Sequence, residues 1–254
     1  MDKKMGKRGK TEIPAQTGER VSRNMKKYDQ RFVEEMRGKL DVELLGAAVI
    51  NESTPVLLRE QAQALLPAAR SVFVFAKEMY REVVALLGPS KEAGEAEKGE
   101  LFGPHGDYLN SRLTKAVYDL SGYFRKEGFQ TLPLPAAGTP VDQRYLKAVF
   151  SFKDAAREAG LGSTGRHGLL ITPQFGPRVR LACLLTNAEV EPSPLKQADY
   201  CVNCDACIRV CPAKVLQPPK EGETYSMNKF ACRTYRQTGL TCSVCLKACA
   251  EVLN

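Results

Sequence analysis

Apolar residues in the middle of the chain fall into runs of two kinds. Ser71-Val72-Phe73-Val74-Phe75-Ala76 has no polar position after its first residue, the pattern of a strand covered on both faces. Arg178 to Thr186, containing Leu181-Ala182-Cys183-Leu184-Leu185, reads the same way, and Gly168 to Thr172 and Gln130 to Pro133 read as shorter strands. Helical spacing takes over elsewhere. From Asp107 onward Leu109, Leu113, Ala116, Val117, Leu120 and Phe124 share one stripe, with Asp107 in the position of an N-cap. Further helices are expected over Val56 to Leu66, ended by Pro67, and over Lys77 to Leu87, ended by Gly88 and Pro89. Another is expected over Asp142 to Ala159, with Gly160 as a left-handed C-cap. Pro89 to Gly106, rich in Gly, Glu and Lys, reads as a long loop. The mixture predicts an α+β fold.

Cysteine changes that picture at the C-terminal end. Eight of the nine cysteines lie in the last fifty-four residues, and four of them form Cys201-x2-Cys204-x2-Cys207-x3-Cys211-Pro212. That is the run that ligates iron–sulfur clusters in bacterial-type ferredoxins, where the last cysteine of each run serves the other cluster. The second run is incomplete: Cys242-x2-Cys245-x3-Cys249 has Gly239 where a full repeat carries its first cysteine, and Cys232 stands ten positions ahead. Crossing the runs assigns Cys201, Cys204, Cys207 and Cys249 to one 4Fe-4S cluster and Cys211, Cys232, Cys242 and Cys245 to the other. Zinc would favour paired C-x2-C units with a long spacer, which this spacing lacks. Cys183, inside an apolar run, reads as a buried core thiol.

Length and charge refine the organisation. A chain of 254 residues with 43% hydrophobic content can bury one substantial core and carry a small appended module. The net charge is +8, and residues 1–40 hold twelve Lys or Arg against six Asp or Glu, so most of the excess belongs to that segment. Its polar composition predicts a basic arm, flexible to about Asn24. The expected domains are the arm over 1–40, a larger domain over 41–190 and the cluster module over 191–254. No run approaches the ~18 apolar residues of a membrane span, and the start lacks the apolar core of a secretory signal. Together with reduced thiols, this sets the expectation of a cytoplasmic protein without a membrane span.

Gly160-Leu161-Gly162-Ser163-Thr164-Gly165 matches G-x-G-x-x-G. It follows a predicted helix and precedes a predicted strand, the reverse of the dinucleotide-binding order, so no helix N-terminus is offered to a pyrophosphate. Close approach of the backbone to a ligand or to a neighbouring strand is the remaining use of such glycines.

Several segments resemble one enzyme superfamily over roughly residues 45–254. Ala159-Gly160-Leu161-Gly162-x-x-Gly165-x-His167-x-Leu169-Leu170 resembles the segment before the cysteine runs in epoxyqueuosine reductases. Ile171-Thr172-Pro173-x-Phe175-Gly176-Pro177-Arg178-Val179-Arg180-Leu181 is closer to the reductive dehalogenases, and Gly106-Asp107-Tyr108 resembles the Asp-Tyr pair at the head of a long helix in epoxyqueuosine reductases. The resemblance implies a nitroreductase-like cobalamin-binding domain followed by a bacterial-type two-cluster ferredoxin domain. It implies two 4Fe-4S clusters passing low-potential electrons, from a ferredoxin or flavodoxin, to base-off cobalamin, for reductive chemistry on a small molecule or reductive activation of a corrinoid. By the same resemblance Gly160, Leu161, Gly162, Gly165, His167 and Gly168 border the corrinoid, and Asp107 or Tyr108 supplies a proton. The resemblance also has departures. Ser163-Thr164 replaces a Trp and an apolar residue, Leu109 stands where a His often follows the Asp-Tyr pair, and the chain runs only five residues beyond Cys249. These set the expectation against tRNA as partner, and the twin-arginine signal and longer body usual in reductive dehalogenases, which the sequence does not show, set the expectation against dehalogenation. A carrier or docking protein with the cluster module and no cobalamin is the alternative.

Overall fold

The computed structural model describes residues 27–88, 95–137, 139–195, 198–237 and 242–253. The flexible part of the basic arm expected to about Asn24 lies outside them.

Helices and a four-stranded antiparallel sheet make up the larger part. Its strands are β1 (Leu44–Val49), β2 (Ser71–Glu78), β3 (Thr131–Leu134) and β4 (Val179–Thr186), in the order β1-β2-β4-β3. The apolar runs of β2 and β4 arise because both faces are covered. Phe73, Phe75, Ala182 and Leu184 face the long helix Phe102–Lys126, packing with its Leu113, Ala116, Val117, Leu120 and Phe124. Val72, Val74, Cys183 and Leu185 face the opposite layer, with Leu58 and Ala62 of helix Val56–Leu65 and Ala155, Ala156 and Ala159 at helix Phe152–Glu158. Each large side chain so enclosed contributes about 1.5–3 kcal/mol.

Residues 27–40, expected to belong to the arm, are folded onto this core. Asp29 caps the helix Gln30–Lys39 by accepting the Phe32 N–H at 3.0 Å, and Tyr28, Val33 and Met36 are buried against Phe124 and its neighbours. Periodic spacing shows the apolar face of this helix, but its charge density hides it.

Three boundaries depart from expectation for local reasons. The region read as helix from Lys77 continues β2 to Glu78, paired with Val179, and leaves only Arg81–Ala85 helical. Buried Lys77 donates to the Asp41 carbonyl at 2.8 Å and pairs with Glu43 at 3.2 Å, partners that lie far away in sequence. The long helix begins at Phe102 rather than Asp107, because Pro104 falls in the first turn, where its missing N–H has no intrahelical acceptor. Asp107 is therefore inside a helix and is not its N-cap. The helix expected over 142–159 shrinks to Phe152–Glu158, with Ser151 as cap. Ahead of it Val141–Asp142 and Lys147–Ala148 pair as a minimal hairpin, whose turn Asp142 holds by accepting the Arg144 N–H at 2.9 Å. Of Gly168–Thr172, only Leu170–Ile171 is strand, paired with Ser163–Thr164. Gly160 has the expected left-handed backbone, with φ +71°.

The C-terminal part joins the sheet domain through helix Val244–Val252. Leu246 and Ala250 pack with Met79, Val84, Leu87 and Leu109, and Lys247 donates to the Ala85 carbonyl at 2.8 Å. No helix among the described residues is long and apolar enough to cross a membrane.

Candidate cluster and cofactor site

The first cysteine run is curled by backbone geometry. Asn203 and Asp205, between successive cysteines, adopt φ of 53° and 55°, a left-handed conformation that Asn and Asp tolerate better than most residues. The Cys201 N–H donates to Asp199 at 2.9 Å, and Arg209 donates to the Cys204 carbonyl at 2.7 Å, so the loop is held at both ends. Helix Val244–Val252 brings in Cys245 and Cys249, one turn apart on the same face.

The thiols gather into two sets. Cys201, Cys204, Cys207 and Cys249 line one small cavity together with His167 and Ile171. Cys232, Cys242 and Cys245 line a neighbouring cavity of about 410 Å³, and Cys211 packs with Cys232 and Cys245 around Val215 and Leu216. Electrostatics couples the thiols within each set and also across them, since Cys207 acts on Cys245 and Cys245 on Cys249. Burial first, then repulsion from Cys207, Cys201 and Cys204, pushes the Cys249 thiol up to about 12. Burial, then Cys242, pushes Cys245 up to about 11. Burial also raises Cys232, opposed by Arg236 and reinforced by Cys242 and Cys211. Without metal these thiols hold their protons at neutral pH, and a metal bound there would have to displace them. Among the described residues no three such side chains close on a single point. A cube instead takes each of its four thiolates on a different iron. Cys183 is fully buried in the sheet and takes no part.

Basic and aromatic side chains dominate the rest of the larger cavity. Lys153, Arg180, Lys229 and Arg236 line it with Phe102 and Tyr225. Arg180 lies over the Phe102 ring, 5.4 Å from its centre, and its Nε is buried without a partner among the described residues. Burial lowers the Arg180 guanidinium, nearby Asp107 opposes that shift and Arg236 adds to it. Gly106 makes room for this side chain, since a Cβ there would stand 2.5 Å from Nη2. Sequence reading passed over Arg180. Its signal was a charge two positions from Ala182 on a doubly covered strand.

The expected corrinoid and proton-transfer residues do not all converge on this cavity. His167 and Gly168 line it. Gly160 and Gly162 are instead pressed against protein backbone, where a Cβ would meet the Pro194 carbonyl at 2.3 Å and the Ile171 carbonyl at 2.1 Å. Gly165 abuts the His167 ring and Ile171, and Leu161 packs in the core. Asp107 and Tyr108 are exposed and line neither cavity. His105 accepts the Tyr80 N–H at 3.1 Å.

The glycine-rich loop serves the cysteine loop. Ser163 accepts the Tyr200 N–H at 2.8 Å and donates to Asp199 at 3.1 Å, and Arg166 pairs with Asp205. Ser163, a departure from the resembled pattern, thus tethers the start of the first run.

The comparisons agree with this architecture. Over 160 residues, 55% of this chain and 27% of the relative, the chain is 29% identical to a tetrachloroethene reductive dehalogenase of Desulfitobacterium hafniense. An epoxyqueuosine reductase of Bacillus cereus is 29% identical over 173 residues, 65% of this chain and 40% of the relative. The chain is homologous to the reductive dehalogenases and the epoxyqueuosine reductases. No family model matches it. A solved reductive dehalogenase, described as suggesting a mechanism for B12-dependent dehalogenation, covers 86% of the chain with a TM-score of 0.65 at 16% identity, and 31% of its own length is matched. A solved epoxyqueuosine reductase of Streptococcus thermophilus also shares the fold. The chain thus spans about a quarter of the length of the dehalogenase relatives. With epoxyqueuosine reductases among the relatives, the expectation against tRNA is not borne out.

Proposed function

We propose that this chain is an iron–sulfur reductase whose two 4Fe-4S clusters pass low-potential electrons to a base-off cobalamin, for reductive chemistry on a small substrate or reductive activation of a corrinoid. The observation that carries the proposal is the gathering of eight separate cysteines in one part of the fold, four lining a small cavity, three lining the cavity of about 410 Å³ and Cys211 packed beside them. In this reading residues 41–190 form a nitroreductase-like corrinoid domain and residues 191–254 a two-cluster ferredoxin module, with a ferredoxin or flavodoxin as donor and the cytoplasm as setting. Relatives that are reductases, one solved homologue-fold protein being described by B12-dependent dehalogenation, support it.

The fit of the residues differs between the two cofactors. The cysteines suit two clusters, which when bound supply single low-potential electrons. For cobalamin, which would supply a reducible cobalt, the fit is partial: His167 and Gly168 border the cavity, whereas Gly160, Leu161, Gly162 and Gly165 are engaged with protein. The chain's own part is to exclude water with Met79, Phe102 and Leu246 and to hold positive charge at Lys153, Arg180, Lys229 and Arg236. Asp107 is the proposed proton source, acting electrostatically on the cavity-lining Arg180 without lining the cavity itself, with Tyr108 as the other donor of the pair.

Anaerobic reconstitution followed by cobalamin titration tests the proposal. The expected result is about eight iron atoms per chain and one corrinoid. Full iron with no corrinoid uptake would replace it with a cobalamin-free electron-transfer or docking protein. Asp107→Ala should abolish most cobalamin-dependent turnover, and turnover near wild type would withdraw the proton role.

A further inference from the structure

We propose that His167 donates a hydrogen bond from Nε2 to a sulfur of the cluster held by Cys201, Cys204, Cys207 and Cys249, and so raises that cluster's reduction potential. The inference rests on the cluster reading above and concerns a residue whose expected role was to border the corrinoid.

The proton position follows from the other nitrogen. Nδ1 accepts the Leu169 backbone N–H at 3.1 Å, so a neutral ring carries its proton on Nε2. Burial, with a smaller contribution from Lys153, pushes the imidazole down to about 4, which keeps it neutral. His167 is 4% exposed, and Nε2 has no partner among the described residues. A buried donor left unsatisfied is costly, so an acceptor that the described residues do not supply is called for. With a proton on Nε2 and an N–H on Nδ1 the ring has no lone pair for a metal, which makes it a donor and not a ligand.

Its surroundings say which acceptor. Of the described residues bordering the two cysteine cavities, only His167 borders both. Leu169, the partner of Nδ1, belongs to the larger one. The two ring nitrogens face apart, so the Nε2–H points away from the Leu169 N–H, and the small cavity with its four cysteines is the other cavity that His167 borders. Arg166 and Asp205 there are paired with each other, and Tyr200 is the remaining polar side chain besides the cysteines and His167 itself, so a cluster in place puts its sulfurs among the few acceptors beside the ring. Hydrogen bonds to cluster sulfurs stabilise the more negative, reduced state and are one of the levers on potential. His167 acts here as a positioning residue through its dipole, with no proton transferred.

The test is an anaerobic redox titration followed by electron paramagnetic resonance on wild type, His167→Phe and His167→Gln, with the two signals assigned in Cys249→Ser and Cys232→Ser backgrounds. With full iron retained, Phe should lower the midpoint of the first cluster by an amount equal to an about tenfold drop in its reduced-to-oxidised ratio, about 59 mV for one electron. Gln, which can still donate, should stay nearer wild type, and the second cluster should not move. A wild-type protein labelled with ¹⁵N-histidine should show nitrogen coupling to the reduced first cluster in pulsed resonance, a measurement that needs no variant. Unchanged midpoints with full iron, a shift confined to the second cluster, or no nitrogen coupling would each overturn the proposal while leaving the cluster reading intact. A wild type that binds no iron sinks both.

Discussion

Around β2, Phe73 and Phe75 are fully buried between neighbours on the same sheet and the long helix, and Val72 and Val74 are equally enclosed on the other side. Beyond Cys201 the contrast is strong: helix Lys229–Gln237 buries no residue, and the strands Leu216–Gln217 and Ser226–Met227 are two residues each. The local core there is Cys207, Val215 and Leu216, with Cys211, Cys232 and Cys245 beside it. Side-chain packing sustains the first region. In the second, four of the ten described side chains packed together around Val215 and Leu216 are thiols, so on the proposed reading metal–sulfur bonds add to a thin apolar core.

The largest effect that would break this contrast is loss of iron. Chelation of reconstituted protein should make residues 201–253 protease-sensitive while the sheet stays protected, and Cys249→Ser should lose about half of about eight irons. Equal protease resistance with and without iron would mean that packing alone holds the C-terminal part. Next in size, Phe73→Ala should cost about 3–5 kcal/mol in denaturant unfolding through the cavity that it opens, followed by sheet signals. A loss under about 1 kcal/mol would contradict the burial of that ring.

The junction between the regions titrates. His167 has a folded value of about 4 against an ordinary 6.5, because burial disfavours its charge. The unfolded chain therefore binds the proton first, and stability from this group is complete above pH 6.5 and lost as pH falls toward 4. The full difference is about 3 kcal/mol. Subtracting the unfolding free energy of His167→Asn from that of wild type across this range should reveal it, and a flat difference would show a solvated ring. Smallest of all, Ser163→Ala removes the tether to Asp199 and Tyr200. A loss of about 1 kcal/mol or less is expected, with faster hydrogen exchange at Tyr200 and Cys201, and unchanged exchange there would show that the loop holds without it.

Where a segment's partners are its own neighbours, the amino-acid order alone was enough. The apolar runs of β2 and β4, the stripe from Leu109 to Phe124 and the left-handed Gly160 are local matters of period and backbone freedom. The cysteine runs are equally local, because one short loop presents three thiols. Sequence spacing also suggested the crossing of Cys249 to the first set, and the structure brings those four thiols to one cavity.

Tertiary contact decided the remainder. Lys77 is in a strand because Asp41 and Glu43 neutralise it from another segment. Gly162 is needed against the Ile171 carbonyl, not against a ligand, and Gly106 leaves space for Arg180 from a strand more than seventy positions away. Composition and period fix what a residue can do next to its chain neighbours, and so specified most of the elements and the spacing of the thiols. Which charges could be buried, which glycines met backbone, and that the His167 Nε2 was left without a partner among the described residues all depend on atoms remote in sequence, and only the packed structure brings those together.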